Sequence, residues 1–127
     1  MKDFRKLEVL RKAHELTLEV YRVTKAFPSD ERFGLTSEIR RCAASVAANI
    51  AEGCGRGSNS EFRHYLQMAM GSASELEYHL LLSRDLAYLG EVQHIPLHSE
   101  AVRVKNMLSA LLEKIDRDRA IAASTAT

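Results

Sequence analysis

Apolar residues recur at helical spacing along nearly the whole chain, in four stretches separated by glycine, proline and serine. The first runs from about Phe4 to Lys25. Its polar residues Glu8, Arg11, Lys12, Glu15, Glu19 and Arg22 fall within an arc of roughly 100°, and Val9, Leu10, Ala13, His14, Leu16, Leu18, Val20, Tyr21 and Val23 occupy the remainder. That apolar arc is about twice as wide as one core requires. The surplus predicts a contact with another copy of the chain.

The second stretch, 35–54, is built mostly from small residues. Ile39, Cys42, Ala43, Val46, Ile50 and Gly53 share one face, and Arg40, Ala44, Ala47 and Ala51 form a strip beside it. Arg41, Ser45, Asn49, Glu52 and Arg56 make a narrow polar ridge, on which Glu52 and Arg56 suit an (i, i+4) salt bridge. A helix lined with alanine admits close neighbours on more than one side, so this element is expected to be enclosed except along the ridge. Phe27-Pro28 ends the helix before it. Gly34 is expected to turn left-handed and Thr36 or Ser37 to cap the start. The glycines at 53, 55 and 57 are expected to end the helix.

Ser58 and Glu61 have capping-box spacing, which opens a third helix over about 60–89 with Phe62, Leu66, Ala69, Ala73, Leu76, Leu80 and Ala87 inward and Gly90 closing it. Gly71 lies in its middle, where a glycine costs about 1 kcal/mol and predicts close packing. A fourth helix, about 97–117, turns Leu97, Ala101, Val104, Leu108, Leu111, Leu112 and Ile115 inward. Residues 118–127 have little apolar bulk and are expected to form a mobile tail. With no strand pattern, the fold is all-α: an up-down-up-down antiparallel four-helix bundle occupying residues 1–117 as one domain.

Composition adds limits. No apolar run approaches the ~18 residues of a membrane span, and the charged N-terminus is unlike a secretory signal. The expected location is cytoplasmic, with no membrane partner. Net charge is only +1, yet residues 1–25 carry seven Lys or Arg against four acids, while 58–90 carry two against four. A solvated, ion-paired face accounts for such a mixture, and a symmetric ring would repeat any basic patch.

Chemical motifs are weak. The glycine cluster lacks the preceding strand and the Lys-Ser/Thr pair of a phosphate loop, although Arg56 and Arg63 flank the start of helix 3, whose free amides favour anions. His94 and His98 are four apart, but Pro96 lies between them and no Cys or acid completes a metal set, so they read as a surface pair. His14 and His79 fall near the edges of the core, as structural histidines. Cys42 and Cys54, about 18 Å apart on one helix, are too distant for a disulfide and read as small buried fillers. Asn49 and Glu52 on the polar ridge could form a catalytic pair. Ser45, Asn49 and Glu52 read better as structural polar residues that lock helix 2 against the following turn. No catalytic residue, metal, cofactor or small-molecule substrate is expected.

The run FP..E..FGLTSEIRR, then SVAANIAEG, then GR.S..EFR and GS..EL, resembles the four-helix-bundle proteins encoded by intervening sequences of bacterial 23S ribosomal RNA genes. Accessory variability proteins of diversity-generating retroelements look like relatives. The matching residues are Phe27, Pro28, Glu31, Gly34 to Thr36, Arg40, Arg41, Ser45, Asn49 to Gly53, Gly55, Arg56, Glu61, Phe62, Gly71, Ser72, Glu75 and Leu76, within a resemblance that covers about residues 4–115. It implies a non-enzymatic homopentamer, and as further partners structured RNA or a reverse transcriptase. Arg40, Arg41, Arg56 and Arg63 are then the candidate nucleic-acid contacts, with Lys2, Arg5, Lys6 and Lys12 adding long-range field. The other reading is a protein-only interaction scaffold with no nucleic-acid binding.

Overall fold

The computed structural model describes residues 7–126. Four helices follow one another: α1 (Glu8–Thr24), α2 (Leu35–Cys54), α3 (Asn59–Asp85) and α4 (Glu91–Ala126). Short connections force consecutive helices antiparallel. Among the described residues, α1 packs on α2 and α4, α3 packs on α2 and α4, and the diagonal pairs stay apart. The cross-section is a square and the molecule an up-down-up-down bundle. No described helix is long and apolar enough to cross a membrane.

The core lies along the axis of this square. Val20, Ile39, Val46, Ile50, Leu66, Leu76, Leu80, Val104 and Leu108 are wholly enclosed, and each large aliphatic side chain contributes about 1.5–3 kcal/mol by leaving water. The inward face expected for helix 2 is buried throughout. It comes close to α3 at Gly53. A Cβ added there would lie 2.9 Å from Tyr65 Cβ and 3.0 Å from Phe62 Cδ1, so only glycine lets the two helices meet at this depth.

The helix ends depart from the sequence expectations, each for a local reason. Leu7 is extended, so α1 begins at Glu8, and the expected residues 4–6 lie outside the described range. Gly34 is not left-handed (φ −111°), and neither Thr36 nor Ser37 caps α2. The cap comes from Glu31, whose Oε1 accepts the Leu35 amide at 3.1 Å while Oε2 accepts the Tyr88 hydroxyl at 2.9 Å. A Cβ on Gly34 would stand 2.7 Å from that capping carboxylate, which is why glycine suits the position. No described glycine has positive φ, and the chain turns after α2 through Gly55 at φ −80°.

Helix α3 starts as expected, with Ser58 Oγ accepting the Glu61 amide at 3.1 Å, but it stops at Asp85 rather than Leu89. The stop is a Schellman motif: the Tyr88 amide reaches Ser83 O and the Ala87 amide reaches Arg84 O, both at 2.9 Å. Ala87, at φ 64°, takes the left-handed position usually held by glycine. It is therefore exposed rather than inward. Gly71 is also exposed, and a Cβ there would meet nothing, so close packing within the chain does not explain it. Helix α4 begins six residues before Leu97 and carries Pro96 inside it. The carbonyl that Pro96 leaves without a partner belongs to Val92, which is 88% exposed, so water can replace the lost bond. Past Arg117 the chain stays helical to Ala126, though residues 116–125 are exposed.

Candidate functional site

The four candidate arginines are engaged within the chain. Arg40 crosses from α2 to the end of α1, where its Nε donates to Thr24 Oγ1 at 2.8 Å, Nη2 donates to Tyr21 O at 3.3 Å, and the guanidinium sits 4.8 Å from the Tyr21 ring centroid. It thus serves one carbonyl in the last turn of α1, where a cation is favoured. Arg41 donates to Glu38 at 2.7 Å and lies 3.4 Å from Glu75 of α3. Arg56 bonds the Tyr65 hydroxyl at 2.7 Å, stacks on that ring and reaches Glu52 at 3.3 Å. Arg63 grips Asp116 with both Nε and Nη2, tying α3 to α4. The Arg63 bond holds the Asp116 carboxyl below its ordinary range. Exposed pairs of this kind contribute little stability singly, yet each one reduces the positive charge offered to a partner.

The remaining basic candidates are not gathered with these. Lys12 lies at the α1–α4 groove beside Leu16, Val92 and Pro96, 3.9 Å from Glu15. Lys2, Arg5 and Lys6 lie outside the described residues. Arg56 and Arg63 do flank the start of α3, but they turn to Tyr65 and Asp116.

The polar ridge of α2 is divided between two tasks. Ser45 Oγ and Ser72 Oγ are 2.9 Å apart, joining α2 to α3, and Asn49 Nδ2 donates back to Ser45 O at 2.9 Å. Glu52 instead accepts from Arg56 and is half exposed. Asn49 therefore reaches one turn back rather than to the following turn, and no hydrogen bond joins it to Glu52 among the described residues. Nothing in this arrangement supplies a nucleophile with its base.

Four features escaped the sequence reading. Cys42 is buried, but its Sγ donates to Glu75 Oε2 at 2.9 Å, and burial, followed by that carboxylate, pushes the thiol up to about 12. His79, next to this pair, has a buried Nδ1 without a described partner. His94 is buried rather than at the surface, its ring stacked 5.7 Å from that of His98, and burial and then Arg84 hold its pKa below the ordinary value. His14 is exposed rather than at a core edge. The corrections to His94 and His14 share one cause, because periodicity gives a residue's face but not the depth of the neighbouring helix.

Besides Phe33 and Val92, exposed apolar side chains stand on two opposite sides of the square. On the α1–α2 side, Leu18 and Tyr21 are 55% and 42% exposed; on the α3–α4 side, Tyr78 and Ile95 are 57% and 60% exposed. Tyr78, Leu81 and Ile95 line a groove of about 780 Å³ with His94 and His98.

By its fold this is an all-α four-helix-bundle protein, with its candidate arginines engaged and apolar side chains exposed among the described residues. The chain belongs to the 23S rRNA-intervening sequence protein family, whose model matches residues 5–110. A solved relative in shape is a crystal structure of a protein with unknown function from the S23 ribosomal protein family of Bacteroides thetaiotaomicron VPI-5482. It is 23% identical, with a TM-score of 0.76 over 83% of this chain and 95% of that one, a likeness that supports the fold. Among curated proteins, none matches the chain.

Proposed function

We propose that this chain is a non-enzymatic module that works by self-association, closing into a homopentameric ring. The supporting observation is the pair of apolar patches on opposite sides of the bundle, Leu18 with Tyr21 and Tyr78 with Ile95. Unlike patches that meet head to tail give a heterologous contact, and such contacts close into rings when the rotation per subunit divides a full turn. Five copies is the number that the family resemblance implies. Sedimentation at low micromolar concentration should give a species several times the 14.3 kDa chain mass. A stable species of chain mass would overturn the reading.

A second reading adds structured RNA, or a nucleic-acid enzyme such as a reverse transcriptase, as the partner of the basic residues. It rests on Arg41 and Arg56, whose side chains are 59% and 42% exposed and would be repeated around a ring. Their pairing with Glu38 and Glu52 favours the protein-only scaffold. Filter binding to structured RNA at several salt concentrations separates the two. Affinity that falls steeply with salt supports RNA contact, and no retention even at low salt leaves the scaffold.

A further inference from the structure

One group of side chains has ligand chemistry beyond what packing uses. Glu38 and Cys42 stand one turn apart on α2, and Glu75 and His79 one turn apart on α3. Cys42 Sγ, a Glu75 carboxylate oxygen and a His79 ring nitrogen all lie within 4.8 Å of one another. The thiol already touches Glu75. His79 Nδ1 is buried with no hydrogen-bond partner among the described residues, and a buried imidazole nitrogen left in that condition needs a physical reason.

We propose that Cys42, Glu75 and His79 form a binding site for a borderline-soft divalent cation, with zinc as its natural occupant. Three atoms no more than 4.8 Å apart share a point within about 2.8 Å of each. Zinc–ligand distances are about 2.0–2.3 Å, so each ligand closes by roughly 0.5–0.8 Å, a movement within ordinary side-chain torsion. The donor set of one sulfur, one nitrogen and one oxygen selects zinc or cobalt over magnesium and calcium, which take oxygen alone. A thiolate and a carboxylate also neutralise the two positive charges. Water takes the fourth position, because Glu38 is engaged by Arg41.

Binding is a simple exchange. The Sγ–H bond breaks, its proton passes to water, and a sulfur lone pair forms the metal bond with no change of oxidation state. Metal coordination deprotonates thiols outright, which overcomes the hold that burial and Glu75 have on this proton. Arg41, 3.4 Å from Glu75, is the unfavourable neighbour. Its nearer partner is Glu38 and its side chain is more than half exposed, so it can turn to solvent.

Cobalt titration of the full chain tests the site. The expected result is a thiolate-to-cobalt charge-transfer band in the near ultraviolet, with tetrahedral bands in the visible, both displaced by zinc. Cys42→Ser should abolish the charge-transfer band and weaken zinc binding by more than the ~10–100-fold that loss of a merely orienting partner costs. His79→Gln, at a partly exposed position, should fold normally and weaken binding comparably. Cys54→Ser removes the other buried thiol and should change neither readout. A wild-type chain without the band, a band that survives Cys42→Ser, or full zinc affinity in folded His79→Gln overturns the site.

Discussion

At the scale of single residues, the informative positions are those where the local rule and the tertiary setting disagree. Ala87 holds a left-handed conformation at the end of α3 with its side chain in water. The strain of a Cβ there exceeds the extra unfolded-state entropy that glycine brings. Ala87→Gly should therefore stabilise the fold by about 0.5–1 kcal/mol, read as a higher urea midpoint at unchanged slope. His94 is the reverse case, a group suited to water that lies in the core. Arg84, Asp85, Glu91 and His98 act on it, and burial dominates in lowering its pKa from 6.5. Above 6.5 both folded and unfolded chains keep it neutral. Below that value the unfolded chain takes up a proton that the folded chain resists, so its contribution is lost as the pH falls through the lowered folded value. His94→Leu should flatten the fall in melting temperature on acidification from neutral pH. An equally steep fall in the variant would remove this account.

At the scale of elements, α2 and α3 form the tightest pair, and small side chains set their separation. Ala43, Ala69 and Ala73 are buried, Ser45 meets Ser72, and Gly53 presses on Tyr65 and Phe62. A methyl group at Gly53 gains helix propensity of about 1 kcal/mol but forces two aromatic side chains and a backbone segment apart, a cost of about 1–3 kcal/mol. Gly53→Ala should lower stability by about 1 kcal/mol in urea titration, opposite in sign to the change at Ala87. The helix faces were legible in the sequence because periodicity records which side is inward. Helix ends were less legible. The cap of α2 comes from Glu31, a residue outside that helix, and α4 accepts Pro96 because the affected carbonyl faces solvent.

At the scale of the whole molecule, the excess apolar arc of α1 survives folding as Leu18 and Tyr21, and a second patch that the sequence did not reveal survives at Tyr78 and Ile95. A head-to-tail ring needs both. Leu18→Glu and Tyr78→Glu should each reduce the proposed assembly to smaller species in sedimentation without loss of helical signal, since both positions are exposed in the single chain. Mixing the two variants is more discriminating. Each retains one intact patch, so a heterologous contact allows them to form a heterodimer of about twice the chain mass. No association in the mixture would count against unlike faces. The candidate arginines were visible in the sequence, and so was the (i, i+4) pairing of Arg56 with Glu52, but the contacts between helices were not. Arg63 is 53 residues from Asp116, and only the packing of α3 on α4 brings them together.

The sequence by itself determined four amphipathic helices and the inward face of each, because burial of apolar surface dominates folding and its helical period is written along the chain. It also carried the signature of the 23S rRNA-intervening sequence protein family. The tertiary structure alone decided what depends on distances between helices: the contacts of Arg40 with Thr24 and of Arg63 with Asp116, the buried His94, the meeting of Cys42, Glu75 and His79, and the second apolar patch. Contacts between residues far apart in sequence are set by how helices cross, and no local pattern records that geometry.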